Sequence, residues 1–194
     1  MCISGCSNPK KPSSGPSSSS SVSGIVTSCP YSPSYEPSLW NSPPIQTSTN
    51  CYAYTANNPY GHPANPLNDP NNFKPQPGVQ CGHPFTEATC KAVGTAAQCD
   101  GMIPAPNPPV PRVGYYPVAL VMDPGVDYHW YRQDSNGFWS HKPGHDLATN
   151  VDASGNPITN PETANRDYSS TSGVNYSQFC GYYYVPQTGI ITGP

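Results

Sequence analysis

The sequence predicts an α+β fold in which a short helix packs on an antiparallel sheet, with long Pro-rich loops between the elements. Four runs rich in aromatic and β-branched residues have the length of strands and lie in the second half of the chain. They cover residues 115–122, 127–133, 138–142 and 179–185. The best helix candidate, residues 50–56, precedes them. Because the strands follow the helix instead of alternating with helices, their order predicts an antiparallel sheet.

Capping residues justify the helix at 50–56. Thr49 or Asn50 provides a side-chain oxygen that can accept the first unpaired amides, and residues 57–59 (Asn-Asn-Pro) end the helix. A second helix is predicted over residues 86–93, within a Cys-containing stretch of the chain. Both helices therefore precede the predicted sheet.

Composition divides the chain into a tail and one domain. Residues 1–24 are a low-complexity Ser/Pro tail, and residues 25–194 form a single α+β domain with a Pro/Cys-rich insertion at about 59–114. Within this domain, residues 25–49 are predicted to wrap over the core in an extended conformation, and residues 145–170 to form a polar loop. With 27 Pro and 17 Gly, the domain is predicted to have much loop and a modest core.

Charge and cysteine content limit the classes of function. The net charge is -3 with 8 Lys and Arg, and no basic stripe is present, so nucleic-acid binding is not expected. The longest apolar runs, such as residues 118–122, are too short to span a bilayer. Eight cysteines indicate an extracellular or virion-associated protein with disulfides, although no signal peptide is visible. A virion, a leaderless export route or a processed fragment would each fit.

Three residues form the candidate site. His129 and His141 lie on two predicted strands that flank a polar turn at Asp134–Gly137, which is typical of a β-hairpin. Side chains alternate across a strand, so an even offset of 12 usually keeps both imidazoles on one face. Cys51 lies at the predicted helix N-terminus, where unpaired amides favour a thiolate. This combination indicates a nucleophile, a base and an orienting group.

The order of these residues resembles the NlpC/P60 cysteine peptidases, which are papain-like enzymes related to the CHAP amidases. The resemblance extends from Asn50 to Lys142. It implies a papain-like fold and amide hydrolysis through a thioester, with Cys51 as nucleophile, His129 as base and His141 as orienting residue. It also implies an oxyanion hole that uses the backbone amide of Cys51, to which the side chain of Gln46 is a candidate second donor.

Other interpretations of the same residues stay open. Cys51 can be half of a disulfide, and the two histidines can be structural residues whose nitrogens bond to Tyr hydroxyls or carbonyls. A zinc site from Cys81, His83, Cys90 and Cys99 is disfavoured because the spacing lacks a Cys knuckle, so a disulfide such as Cys90–Cys99 is expected instead. Residues 152–156 lack the carboxylates of a calcium loop and predict a turn. Neither a metal nor a cofactor is expected.

Two functions follow from these patterns. The first is a thiol-dependent hydrolase of amide bonds, with peptides, including cell-wall peptide, as substrates. The alternative is a disulfide-stabilised structural or interaction protein of a virion or extracellular assembly, which could retain an inactive papain-like fold. Low charge, abundant Tyr and Pro, and the Ser/Pro tail favour the alternative. In that case, we expect residues 1–40 to contact assembly partners.

Overall fold

The computed structural model describes residues 29–61 and 75–193 of the 194-residue chain. The tail predicted at 1–24 lies outside the described residues, as does part of the insertion predicted at about 59–114. The described part contains helices and antiparallel strands, with the helices first. The helices are α1 (Pro37–Trp40), α2 (Ile45–Ser48), α3 (Cys51–Thr55) and α4 (Cys90–Cys99). The strands are β1 (Ile103–Pro104), β2 (Tyr115–Asp123), β3 (Asp127–Gln133), β4 (Trp139–Ser140), β5 (Asp167–Tyr168), β6 (Val174–Asn175) and β7 (Gln178–Pro186).

Five strands form the main sheet in the order β1-β7-β2-β3-β4, and every pairing in it is antiparallel. The strands predicted at 115–122, 127–133 and 179–185 are confirmed as β2, β3 and β7. The run at 138–142 also forms a strand, but only β4 of it pairs regularly with β3. β5 and β6 form a separate two-stranded sheet.

The helix that carries Cys51 forms as predicted. The side chain of Asn50 accepts the backbone amides of Tyr52 and Ala53, at 3.1 Å each, so it caps α3. Helix α4 begins at Cys90 instead of residue 86, because Thr89 provides the capping oxygen. Gly94 allows α4 to approach β7 closely, since a Cβ at this position would lie 2.2 Å from the hydroxyl of Tyr183.

The two faces of the main sheet carry different side chains. One face packs against α3 and α4, and its cluster includes Tyr52, Val93, Tyr116, Val118, Leu120, Met122, Tyr128 and Trp130. The opposite face carries Ala119, Val121, Tyr131, Trp139, Ile158, Tyr176 and Tyr182. This division follows the alternation of side chains along β2 and β3. We call these surfaces the helix face and the aromatic face.

Disulfides connect α4 to two other parts of the chain. Cys81–Cys99 joins its C-terminal end to the preceding turn, and Cys90–Cys180 joins its first residue to β7. The predicted pair Cys90–Cys99 is wrong, because these cysteines lie at opposite ends of one helix. A ten-residue helix separates its ends by about 14 Å, whereas a disulfide requires Cα atoms about 5–6 Å apart. Cys29 is also disulfide-bonded.

The segment predicted as an extended wrap is partly helical. Helices α1 and α2 interrupt it, and Trp40 packs edge-on against Tyr54 with their ring centroids 4.8 Å apart. Ile45 and Ala148 complete this third cluster. A four-residue helix gains little from its own hydrogen bonds. We infer that tertiary packing of Trp40 and Ile45 stabilises both helices, which local sequence did not predict.

Candidate functional site

The two histidines of the candidate site are in direct contact. The Nε2 atom of His129 lies 2.8 Å from the Nδ1 atom of His141, and their ring planes are 86° apart. The hairpin brings them together as predicted, because β3 and β4 pair with Arg132 opposite Ser140. Both imidazoles are on the aromatic face, where an even sequence offset places them.

The hydrogen bonds assign a tautomer to each ring. His141 Nε2 lies 3.1 Å from the carbonyl oxygen of Val151, which can only accept, so this nitrogen carries the proton. With both rings neutral, Nδ1 of His141 is therefore an acceptor, and Nε2 of His129 donates to it. The remaining Nδ1 of His129 then has a lone pair and no proton.

Burial keeps both rings neutral. His129 and His141 are 2% and 1% exposed. Desolvation lowers the pKa of His129 well below its usual 6.5, and the neighbouring His141 lowers it further. Desolvation also lowers the pKa of His141, to about 4, although the bond to Val151 and the charge of Asp152 oppose this change. At neutral pH the pair is an uncharged hydrogen-bonded unit.

Tyrosines surround this pair. Tyr176 stacks on His129 with a centroid distance of 5.2 Å, and Tyr131 packs edge-on against the same ring at 5.1 Å. The Tyr176 hydroxyl donates to Asp127 at 2.8 Å. Burial raises the pKa of Tyr176, and the charge of Asp127 raises it further. These neighbours are consistent with the structural interpretation of the histidines.

A pocket of about 460 Å³ opens beside the histidines. We call it the histidine pocket and define it by its lining residues. They are Asp127, His129, His141, Pro143, Gly144, His145, Asp146, Tyr168, Thr171, Ser172, Val174 and Tyr176. Both histidines are lining residues, so the pair borders a space large enough for a ligand.

Cys51 occupies the first position of α3, as predicted, and is not in a disulfide. Its side chain belongs to the cluster of the helix face, together with Tyr128 and Trp130. These residues flank His129 in β3, and their side chains alternate with the imidazole. Burial raises the pKa of the Tyr128 hydroxyl, and electrostatic repulsion from the Cys51 sulfur raises it further. The catalytic roles of Cys51, His129 and His141 stay predictions.

Gln46 lies in α2 and contacts the loop that follows β4. Its side-chain Nε2 donates to the backbone carbonyl oxygen of His145 at 3.2 Å. Its backbone carbonyl oxygen accepts a hydrogen bond from the Lys142 ammonium at 2.7 Å. A role of Gln46 as an oxyanion donor also stays a prediction.

No group of three or more metal-ligating side chains is present among residues 29–61 and 75–193. Cys81, Cys90 and Cys99 are in disulfides and therefore cannot provide the thiolates that a zinc site requires. The predicted turn at 152–156 is confirmed, since Asp152 Oδ1 accepts the amides of Ser154 and Asn156 at 2.9 Å each.

Two buried cations were missed by the sequence analysis. Arg132 is fully buried and pairs with Asp134 at 3.1 Å, and it also donates to the carbonyl oxygens of Ser34 and Tyr54. Lys142 is fully buried too, and its ammonium donates to three backbone carbonyls. Alternation in the hairpin signals the side that Arg132 faces, but no local pattern indicates which distant carbonyls it contacts.

Across the part of the chain that the structure describes, every helix is too short or too polar to cross a bilayer.

Comparison with known proteins gives one clear relationship. The chain is 38% identical over 150 residues to a protein named insoluble matrix shell protein 1, from Ruditapes philippinarum. The match covers 76% of this chain and 86% of that protein. No family model matches the chain, and no solved structure matches it.

The resemblance to the NlpC/P60 and CHAP families is therefore wrong. Neither a family model nor a solved structure supports it, and the relative found is a matrix shell protein. The resemblance used three residues and their order, and residue order alone does not define a fold, since a hairpin with buried histidines beside a capped helix has the same order. The papain-like layout stays an untested prediction.

Proposed function

The chain belongs to the family of insoluble matrix shell protein 1, and from this membership we propose that it is a disulfide-stabilised structural component of an extracellular shell matrix. The observation that carries the proposal is the 38% identity over 76% of the chain. Membership of this family favours the structural alternative of the sequence analysis over the hydrolase. An extracellular location follows from the same relationship, and virion association has no support.

Disulfides support this role. Cys81–Cys99 and Cys90–Cys180 hold α4 at both ends, and Cys90–Cys180 closes a long loop of the chain. Disulfides persist in oxidising extracellular surroundings and are rare in the cytosol. They also compensate for the modest core of a chain in which hydrophobic residues make up 35%.

The scarcity of charge also supports assembly into an insoluble material. Charged residues make up 10% of the chain, compared with about 25% in an average soluble domain. Arg132 and Lys142 are buried, so they add no charge to the surface. Several large hydrophobic side chains are exposed, including Tyr60, Val113 and Val126. A surface with few charges gives little repulsion between copies, and association is favoured over solubility.

The proposal is tested by locating the protein in the organism that makes it. Demineralised extracellular matrix and soluble cell extract are compared by mass spectrometry of peptides from this chain. We expect the chain in the matrix fraction, insoluble in buffer and released by denaturant together with reductant. Recovery mainly from the soluble cell extract would overturn the proposal.

A Cys51→Ser variant separates the structural role from thiol chemistry. Cys51 is not in a disulfide, so we expect the variant to enter the insoluble matrix as the natural chain does. The matched variant Cys90→Ser loses the bond to Cys180, and we expect less of it in the matrix. An equal loss for Cys51→Ser would show that the thiol, and not the disulfide framework, is required.

A further inference from the structure

We propose that the histidine pocket binds the cationic head of a Lys or Arg side chain from a partner protein, an inference that rests on the proposed assembly role. The pocket carries two carboxylates, Asp127 and Asp146, and neither Lys nor Arg is among its described lining residues. Its two paired histidines are neutral at neutral pH. The two carboxylates, beside the neutral imidazole pair and without a Lys or Arg in the described lining, favour a cationic ligand.

The hydrogen-bonding groups of the pocket are also suited to a ligand that donates hydrogen bonds. The tautomers leave Nδ1 of His129 as an acceptor. Asp127 accepts the backbone amide of Tyr128 on one oxygen and the Tyr176 hydroxyl on the other, which leaves further lone pairs on both. An ammonium has three donors and a guanidinium has five, and neither has an acceptor. The lining of the histidine pocket and the proposed ligand are therefore complementary in charge and in hydrogen bonding.

The neighbouring cations of the chain are directed elsewhere. The Lys142 ammonium donates to the carbonyls of Gln46, Thr49 and Gly144, at 2.7, 2.8 and 2.7 Å. Arg166 donates through Nε to the carbonyl of Tyr176 at 2.9 Å, and through Nη1 to backbone carbonyls. Neither side chain lines the pocket, so neither occupies the position that the ligand would take.

Aromatic walls add a second attraction. Tyr168 and Tyr176 line the pocket with their ring centroids 6.3 Å apart and their planes at 68°. Cations are attracted to the faces of such rings, and the methylene groups of Lys or Arg pack against them. A bare metal ion would make no use of the aromatic rings, and the described residues contain no cluster of three or more side chains placed to hold a metal ion. The combination favours an organic cation with an aliphatic stem.

The test uses the complete folded chain and small probes, followed by NMR of the histidine and tyrosine rings. The probes are the Nα-acetyl methylamides of lysine and arginine, with the uncharged norleucine derivative as control. We expect saturable shifts of the His129 and Tyr176 resonances with either cationic probe, and none with norleucine. We expect Asp146→Asn to weaken the affinity about tenfold, as loss of one charge-assisted contact does. Glu87→Gln, which removes an exposed carboxylate away from the pocket, should leave it unchanged.

Several outcomes would overturn the inference. These are no shift with either cationic probe, equal shifts with norleucine, or equal effects of Asp146→Asn and Glu87→Gln. Shifts with an N-acetylglucosamine oligomer but with neither cationic probe would assign the pocket to a neutral sugar instead. Asp127→Asn serves as a second variant, and its fold is checked by retention of the His129 and His141 resonances. A negative result in this binding experiment does not affect the proposed matrix location, because that location is tested separately by fractionation.

Discussion

The two faces of the main sheet are held in different ways. On the helix face, α4 packs against the sheet and is joined covalently to β7 through Cys90–Cys180. On the aromatic face, neutral imidazoles, tyrosines and single hydrogen bonds hold the hairpin. The comparison indicates that the helix face depends on oxidation, whereas the aromatic face depends on the protonation of two histidines.

The largest effect is expected at the buried ion pair of Arg132 and Asp134 on the helix face. Arg132→Ala removes the partner of buried Asp134 and the donors to Tyr54 and Ser34. We expect a loss of about 3–5 kcal/mol in the free energy of unfolding, because an uncompensated charge stays buried. Urea unfolding measures it. Arg112→Ala, at an exposed cation that lies over Tyr115, is the control and should cost about 1 kcal/mol or less. Equal losses for Arg132→Ala and Arg112→Ala would show that the buried ion pair stabilises the fold no more than an exposed cation does.

Loss of the disulfide should come next. Replacing Cys90 and Cys180 together by Ala should lower the free energy of unfolding by about 2–5 kcal/mol, because the unfolded chain is no longer constrained. Reductant should destabilise the natural chain more than this double variant, which has already lost that bond. If the natural chain and the variant respond equally to reductant, Cys90–Cys180 does not stabilise the helix face.

Acid should weaken the aromatic face. The pKa of both histidines is lowered by folding, so between pH 6.5 and about 4 the unfolded chain binds more protons than the folded one. The contribution of these histidines to the free energy of unfolding should have its full value above about pH 6.5. For His141 alone, this contribution should fall by about 3 kcal/mol as the pH approaches 4. Urea unfolding at several pH values measures this slope.

The His141→Phe variant is the comparison for the acid effect. It removes one titrating ring, so its stability should change less between pH 6.5 and 4 than that of the natural chain. His83→Phe, at an exposed position, should keep the natural pH dependence. An unchanged slope in His141→Phe would mean that the buried pair does not control acid stability.

The smallest effect is expected at the cap of α3. Asn50→Ala removes the acceptor for two amides and should cost about 1 kcal/mol. Circular dichroism with thermal unfolding is the measurement. Asn136→Ala, at an exposed turn whose side chain accepts the Phe138 amide, gives the matched control. A cost at Asn50 above that of Arg132→Ala would reverse the expected order.

Local signals predicted a large part of this fold. Aromatic and β-branched runs located β2, β3 and β7, and the Asp134–Gly137 turn located the hairpin. The capping residue at Asn50 located α3. Each of these depends on neighbouring residues, so sequence periodicity and propensity were sufficient. The contact between His129 and His141 followed from the even offset and the hairpin register.

Long-range features could not be predicted in the same way. The pairing of Cys90 with Cys180 depends on how α4 lies on β7, and 90 residues separate the two cysteines. The buried ammonium of Lys142 depends on carbonyls of α2 and the residue after it, which lie more than 90 positions earlier. The wrong family resemblance has the same origin, because residue order alone does not show what each side chain contacts.

The most direct test is disulfide mapping of the protein as it occurs in extracellular shell matrix. Insoluble matrix is digested without reduction, and disulfide-linked peptides of this chain are identified by mass spectrometry. We predict peptides that link Cys81 to Cys99 and Cys90 to Cys180, with Cys51 in neither link. Recovery of the chain only from soluble cell extract, with these four cysteines reduced, would contradict a disulfide-stabilised matrix protein.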